Sequence, residues 1–480
     1  MARRKMATAV TLKTCRSAAV NNHFYQYCVT ENLPVVVDLE KSRGSFLHTI
    51  DGQDILDVAG YYGSRLIGHN HPGLYEKGYV RRLVTAANNK VPNPDFMTRE
   101  CLEFYKQAYA LAPESMKSSP ELEVYTLNSG AETVENMLKY LISRFNSRIG
   151  KSDRIGRRRF IVFNGSFHGR TVFALSMTQA ANPVATRDFH PLFRSRLSVD
   201  FPAAVFSGFD PEAMNAYNDR VTSRALERLD RLARKHPGSI TGIITEPVQG
   251  AGGHNMALPS FFREMISLAH DHEICTGFDE VQTGMGGTGR RYYVDHLDLP
   301  HPPQALAVAK KFGVGVLFML DHLRDVGVLD STWGGPLVDM VRAVQEIKIV
   351  EKEKLIQNAG TCGDLLNAGL RELENKYPDC ICNARGLGYL QGFTVLPVNG
   401  SRARNLLLDI ALKEHLLLML AAGTHSIRLR PNLSTNREDV ARFVDLLEAS
   451  ILDFRGKRPL RWKRMALEQR KTPAGFMKLL

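Results

Sequence analysis

Two acids, Asp279 and Glu280, close the run "ICTGFDE", and two lysines, Lys310 and Lys311, close the run "PQALAVAKK". Both runs are short and mostly uncharged, so each reads as a strand that delivers charged groups at its end. A carboxylate where a buried strand ends is costly unless a cation meets it. A lysine so placed, close to apolar or cationic groups, can have its pKa lowered enough to form a Schiff base with a carbonyl. As a bare pair, adjacent lysines would otherwise face solvent. Two more loops carry residues suited to chemistry. "NSGAETVEN" sets Gly130 before a helix whose first N–H groups can hold a phosphate, although Ser129 and Glu132 also make a capping box. "NGSFHGRTVF" puts Phe167, His168 and Arg170 on a turn.

These residues need a frame that brings loop ends together. From about 120 to 330, strand-like runs ("EVYTL", "RRRFIVF", "ITGIIT", "ICTGF", "PQALAVA") alternate with helical ones such as "AETVENMLKYLISRF" and "PSFFREMISLAHDH". That alternation predicts an α/β fold with a mostly parallel sheet covered on both faces, whose ligands bind beyond the carboxyl ends of the strands. "SFLHTIDGQDILDVAG" (45–60) reads as a hairpin turning at Asp51-Gly52. The stretch after "STWGG" is strongly helical, then leads to "SIRLRPNL" and a last helix, "REDVARFVDLLEASILDF". The expected organisation is a basic N-terminal extension (1–30), a smaller α+β domain built from both ends (31–85 and 346–454), a large α/β domain (86–345) and a basic tail (455–480).

Composition is that of a globular protein of two or three domains, 480 residues with 44% apolar and 23% charged. No apolar stretch approaches the length of a membrane helix. The seven cysteines (15, 28, 101, 275, 362, 380, 382) lack CxxC spacing, which argues against a disulfide framework or a zinc site and fits a reducing compartment. The net charge of +12 sits at the ends: residues 455–480 carry +8, residues 1–30 carry +5, and the body is near neutral. A basic tail can bind nucleic acid or anionic membrane, or be a solvated or loosely docked extension. No helix-turn-helix or zinc-finger pattern supports nucleic acid as a partner. The acid-free N-terminus leaves a mitochondrial presequence open beside the cytoplasmic reading.

In order, "NSGAETVENMLK", "FHGRT", "EPVQG", "DEVQTGMGGTG", "KKFGVG", "STWGG" and "IRLRP" resemble the class III aminotransferases, which bind pyridoxal 5'-phosphate on the fold type I scaffold. The resemblance covers about 30 to 454. It implies that Lys311 takes the cofactor's aldehyde and shuttles the proton, and that Asp279 meets the pyridinium nitrogen and keeps it protonated. It implies that Gly130 and Ala131 hold the phosphate, that Phe167 and Val281 flank the ring, and that Gln282 meets the phenolic oxygen. Thr332 would reach the phosphate from the neighbouring subunit of a homodimer with a shared active site. Arg170 and Arg428 would clamp substrate carboxylates.

"VDLEKSRGS" and "DSTWGGPLVDMVRA" look like lysine 6-aminotransferases, with 4-aminobutyrate aminotransferases as near relatives. The implied reaction moves the terminal amine of L-lysine to 2-oxoglutarate, giving a semialdehyde and glutamate. Ornithine or another omega-amino acid is the alternative donor, and a catalytically impaired binding protein on the same fold is the alternative of another class. The chain departs from the pattern at Ala251, where relatives carry a glutamate that would neutralise Arg428. The 312–330 stretch looks shortened, and "PQALAVA" lacks the acid and Phe-Gly of many relatives.

Overall fold

The computed structural model describes residues 16–28, 33–149, 158–180, 189, 196–323 and 327–480. Most of the basic N-terminal extension, with Arg3, Arg4, Lys5 and Lys13, lies outside them, as do 324–326 of the shortened stretch. Strands β1 (Val37–Arg43), β2 (Phe46–Thr49) and β3 (Asp54–Asp57) form the N-terminal meander, and β2 turns into β3 through the expected Asp51-Gly52. Gly52 takes the left-handed conformation, φ +82°, that such a tight turn demands.

The large sheet contains β4 (Glu123–Leu127), β5 (Arg159–Phe163), β6 (Arg196–Val199) and β7 (Ile240–Thr245). A two-stranded ribbon follows, β8 (Val248–Gln249) with β9 (Asn255–Met256), before the sheet resumes with β10 (Cys275–Asp279), β11 (Ala305–Val308) and β12 (Gly315–Met319). Its strand order is β4-β12-β11-β10-β7-β5-β6. The run β11-β10-β7-β5-β6 is parallel, and β12 is antiparallel to both of its neighbours. β7 and β12 are buried along their whole lengths, as strands covered on both faces must be. Helix Gly130–Ile149 packs on one face. Helix Pro259–Asp271 starts with proline in its first turn and buries Phe261, Phe262, Met265, Ile266 and Ala269, a single apolar stripe.

A third sheet, order β13-β14-β17-β16, comes from the C-terminal part: β13 (Ile381–Leu387), β14 (Leu390–Val395), β16 (Leu420–Ala422) and β17 (Ser426–Leu429). The short β15 (Leu417–Leu418) instead joins the N-terminal meander, parallel to β3. The helical stretch after "STWGG" is two helices, Leu337–Lys352 and Leu355–Lys376, split where Lys354 turns left-handed at φ +53°. The last predicted helix spans Arg437–Lys457 and is closed by Asn436 and Asp439 in a reciprocal cap.

Of the two forms open to an extension, the basic tail takes the docked one. Helices Leu460–Gln469 and Pro473–Met477 dock on the C-terminal sheet, burying Ala466 and Phe476 with Cys382, Leu396 and Val398. Arg458 pairs with the buried Asp379, and Gln469 exchanges both amide hydrogen bonds with Val398. Apolar side chains spaced among the tail's charges do the docking, which a charge count does not register. Among the described residues, no helix is long and apolar enough to cross a membrane.

Candidate active site

The parallel strands point their carboxyl ends at one edge, and the loops leaving β4, β5, β7, β10 and β11 meet there around a cavity of about 600 Å³. Its walls include Gly130, Ala131, Phe167, Arg170, Asp279, Val281, Gln282 and Arg428, eight of the expected site residues. That volume suits a cofactor and a small substrate.

Gly130 opens a helix of 20 residues, so the first N–H groups, which no helical carbonyl can reach, face the cavity. The capping role is also present: the Ser129 hydroxyl accepts from the Glu132 N–H at 3.3 Å, and the Glu132 carboxylate accepts from the Asn128 N–H at 2.9 Å. A Cβ on Gly130 would lie 2.7 Å from Val281 Cγ1, so the glycine lets the strand-end loops approach.

The two acids have opposite fates. Glu280 turns inward and accepts from the Tyr293 and Val294 N–H groups at 2.7 and 2.8 Å and from the Thr283 hydroxyl at 2.8 Å, so it fixes the glycine-rich loop. Asp279 lines the cavity, where one oxygen accepts from the Val281 N–H at 3.1 Å and the other pairs with His168 Nδ1 at 2.8 Å. Burial opposes charge on His168, but the hydrogen bond and charge of Asp279 outweigh it and hold the imidazole above its ordinary pKa. His168 is therefore a site residue that the sequence reading left on a turn; its signal was its place between Phe167 and Arg170.

Glu246, from "EPVQG", is a second missed residue. It accepts from the Phe167 N–H at 2.7 Å and from the Gly250 N–H at 3.3 Å, and burial pushes its carboxyl up to about 7. Gln282 is held by Arg430, whose Nε and Nη2 donate to its Oε1 at 3.1 and 3.0 Å. Arg430 is fully buried and also donates to His254 Nδ1 at 2.9 Å and to two backbone carbonyls.

The lysines are exchanged relative to expectation. β11 and β12 form a hairpin, Val308 opposite Val316, and the tight turn at its tip carries Lys310–Phe312. Ala309 (φ −156°, ψ −77°) and Gly313 (φ +76°) set the direction of that turn. Lys310 lines the cavity; Lys311 points to the opposite side, where its Nζ donates to the Arg65 carbonyl at 2.8 Å. Burial, then the Arg428 and Arg430 guanidiniums, pull the Lys310 ammonium down to about 7.

Arg428, on β17, is 8% exposed, and among the described residues its guanidinium makes no hydrogen bond or ion pair; its Nε is buried without a partner. Ala251 shares the cavity wall with it. Arg170 lies at the exposed rim. Thr332 is exposed and does not line this chain's cavity.

Residues 27–451 match the family described as "Aminotransferase class-III". The L-lysine-epsilon aminotransferase of Mycobacterium tuberculosis is 31% identical over 437 residues, 88% of this chain and 93% of that one. The mitochondrial 4-aminobutyrate aminotransferase of Sus scrofa is 27% identical over 444 residues, 87% and 85% of the two chains. The solved lysine aminotransferase from M. tuberculosis in the internal aldimine form superposes with TM-score 0.82 at 28% identity, covering 92% of this chain and 100% of that one.

Proposed function

This chain belongs to the class III aminotransferases, pyridoxal-phosphate enzymes of fold type I, and from that premise we propose that it moves the terminal amino group of L-lysine to 2-oxoglutarate. One observation carries the chemistry: a lysine with a lowered pKa, a histidine-backed carboxylate and a long helix's N-terminus share one cavity with an unpaired arginine. Those groups fit the cofactor: the N–H groups at the start of the Gly130 helix suit its phosphate, the Asp279 carboxylate its ring nitrogen and the Lys310 amine its aldehyde. When bound, the cofactor supplies the electron sink.

The remaining work falls to the chain. Gly130 and Ala131 would hold the phosphate through backbone N–H groups. Asp279, oriented by His168, would hold a proton on the pyridine nitrogen. Phe167 and Val281 would confine the ring, and Gln282, itself held by Arg430, would meet the phenolic oxygen. Lys310, in place of Lys311, would take the aldehyde and move the proton at the substrate carbon, for which an amine with a pKa near neutrality is suited. Arg428 and Arg170 would receive carboxylates.

Thr332 can serve a cavity only from a second copy of the chain, which supports a homodimer with shared sites. The apolar side chains Phe96 and Met97, 68% and 56% exposed, lie on a loop that touches the Trp333 segment and suit such an interface. We place the reaction in the cytoplasm, with the bacterial lysine enzymes as guide. Lysine leads as donor on the lysine-enzyme relatives, and 4-aminobutyrate follows on its own.

Borohydride reduction followed by peptide mass spectrometry should label Lys310, and Lys310→Ala should abolish both label and transamination. A label on Lys311 would overturn the assignment. In a donor panel with 2-oxoglutarate, scored by glutamate formed, L-lysine, ornithine and 4-aminobutyrate should outrun alanine. A faster α-amine would remove the donor claim and leave the enzyme class standing.

A further inference from the structure

Lys311 is the large buried group for which the chemistry has no use. It is 2% exposed, and a buried amine is costly unless its N–H groups are taken up. They are taken up by two backbone carbonyls from opposite ends of the chain: Arg65 O at 2.8 Å and Pro431 O at 3.4 Å. Among the described residues, no other hydrogen bond reaches either carbonyl.

Those two segments are joined to each other beside Tyr62, which lines the cavity. The Arg430 N–H donates to Val58 O at 2.7 Å, and the Leu433 N–H donates to Leu66 O at 2.8 Å. Gly60 sits so close that a Cβ there would lie 2.1 Å from Arg430 O. Between these contacts the chain makes an uncommon turn, with Tyr61 and Tyr62 both left-handed at φ 50° and 61°. Tyr62 lines the cavity, and its carbonyl accepts from Gln282 Nε2 at 3.4 Å. Three residues before Pro431 stands Arg428.

We propose that Lys311 is a positioning residue: it clips both chain-end segments to the hairpin tip, so that Tyr62, Arg428 and Lys310 face one another across the cavity. The idea rests on Lys310 as the reactive lysine. One tight turn then carries two lysines with opposed duties, one facing in to react and one facing out to fasten the two segments. The charges acting on Lys311 are the carboxylates of Asp57 and Glu346, neither of them ion-paired with it, and the cations Arg430 and Lys310. The fastening is through the carbonyls.

The test uses the cofactor-loaded enzyme and three proteins: the wild type, Lys311→Met, which keeps length and loses the donor, and Lys311→Arg, which keeps a donor. In Lys311→Met, amide hydrogen exchange over 58–66 and 430–433 should speed up at least about tenfold, with the rest of the large sheet unchanged. Glutarate, a dicarboxylate with no amine, should bind about tenfold more weakly by calorimetry. Lys311→Arg should restore most of both. Unchanged exchange and glutarate binding in Lys311→Met would overturn the proposal, as would Lys311→Arg behaving like Lys311→Met. If Lys311→Met does not fold, Lys311→Gln, a shorter donor, replaces it, and an exchange pattern equal to wild type overturns the proposal. The borohydride label in the wild type separates failures: found on Lys311, it removes the underlying reading; found on Lys310, it leaves the clip to be judged by exchange and binding.

Discussion

Replacing Ala251 by glutamate should change how the cavity treats dicarboxylates, because it would give Arg428 a partner it now lacks. The Arg428 guanidinium is buried, its pKa lowered by that burial, and the carboxylate acting on it is Glu246. Glu246 is already committed to the Phe167 and Gly250 N–H groups, and Asp279 to His168. A carboxylate about 4 Å from the guanidinium would interact by about 4 kcal/mol at an effective dielectric near 20. Taking a new carboxylate out of water removes much of that, leaving about 1–2 kcal/mol. At about 1.4 kcal/mol per factor of ten, glutarate affinity should fall about 5- to 30-fold in Ala251→Glu. The assay is the competitive inhibition constant of glutarate against the amino donor, with Ala251→Gln as the size-matched neutral control. Equal weakening in both variants would show that bulk rather than charge acts, and no change in either would show that position 251 does not reach Arg428.

Uptake of pyridoxal phosphate by the apoprotein should quicken about tenfold per pH unit up to about 7 and then level off. Lys310 is pulled down to about 7 from its ordinary 10.5, so its free amine is already dominant above that point; a rate still climbing at pH 9 would refute this. The same shift has a stability consequence: between about 7 and 10.5 the unfolded chain binds the extra proton, so this group's contribution to apoprotein stability rises with pH across that window. Phe476→Ala should cost about 3 kcal/mol in denaturant unfolding, because the ring is fully buried and packs on Phe209 at 5.4 Å between centroids. A loss below about 0.5 kcal/mol would mean that the tail is only loosely held.

Much of the frame was legible in the sequence. Short uncharged runs bounded by glycine and polar residues located β4, β5, β7, β10 and β11, and motif order placed eight site residues on one cavity. The antiparallel β12 was missed because "GVGVLFM" follows a glycine turn with no helix between, which reads as a continuing loop. That Lys310 rather than Lys311 lines the cavity is hidden from the sequence for a sharper reason. Lys310 and Lys311 are adjacent, so composition and spacing treat them alike. What separates them is the backbone at Ala309, whose φ and ψ decide which side chain looks into the cavity. The motifs contain His168 and Glu246 without revealing their roles, because their partners, Asp279 and Phe167, lie 111 and 79 residues away.

The pairing of β3 with β15 also bears on how this chain is made. Leu56 must wait for Leu417, roughly 360 residues later, before its strand edge is covered. At about 5–20 residues per second on the ribosome, that is an interval of about 20–70 seconds. Throughout it the N-terminal meander has an open edge, and the segment around Tyr62 lacks the C-terminal segment it bonds to. Such an edge invites pairing with other nascent chains. Fragments that stop short of β15 should therefore be aggregation-prone, and the finished enzyme should depend on a holdase until its last hundred residues emerge.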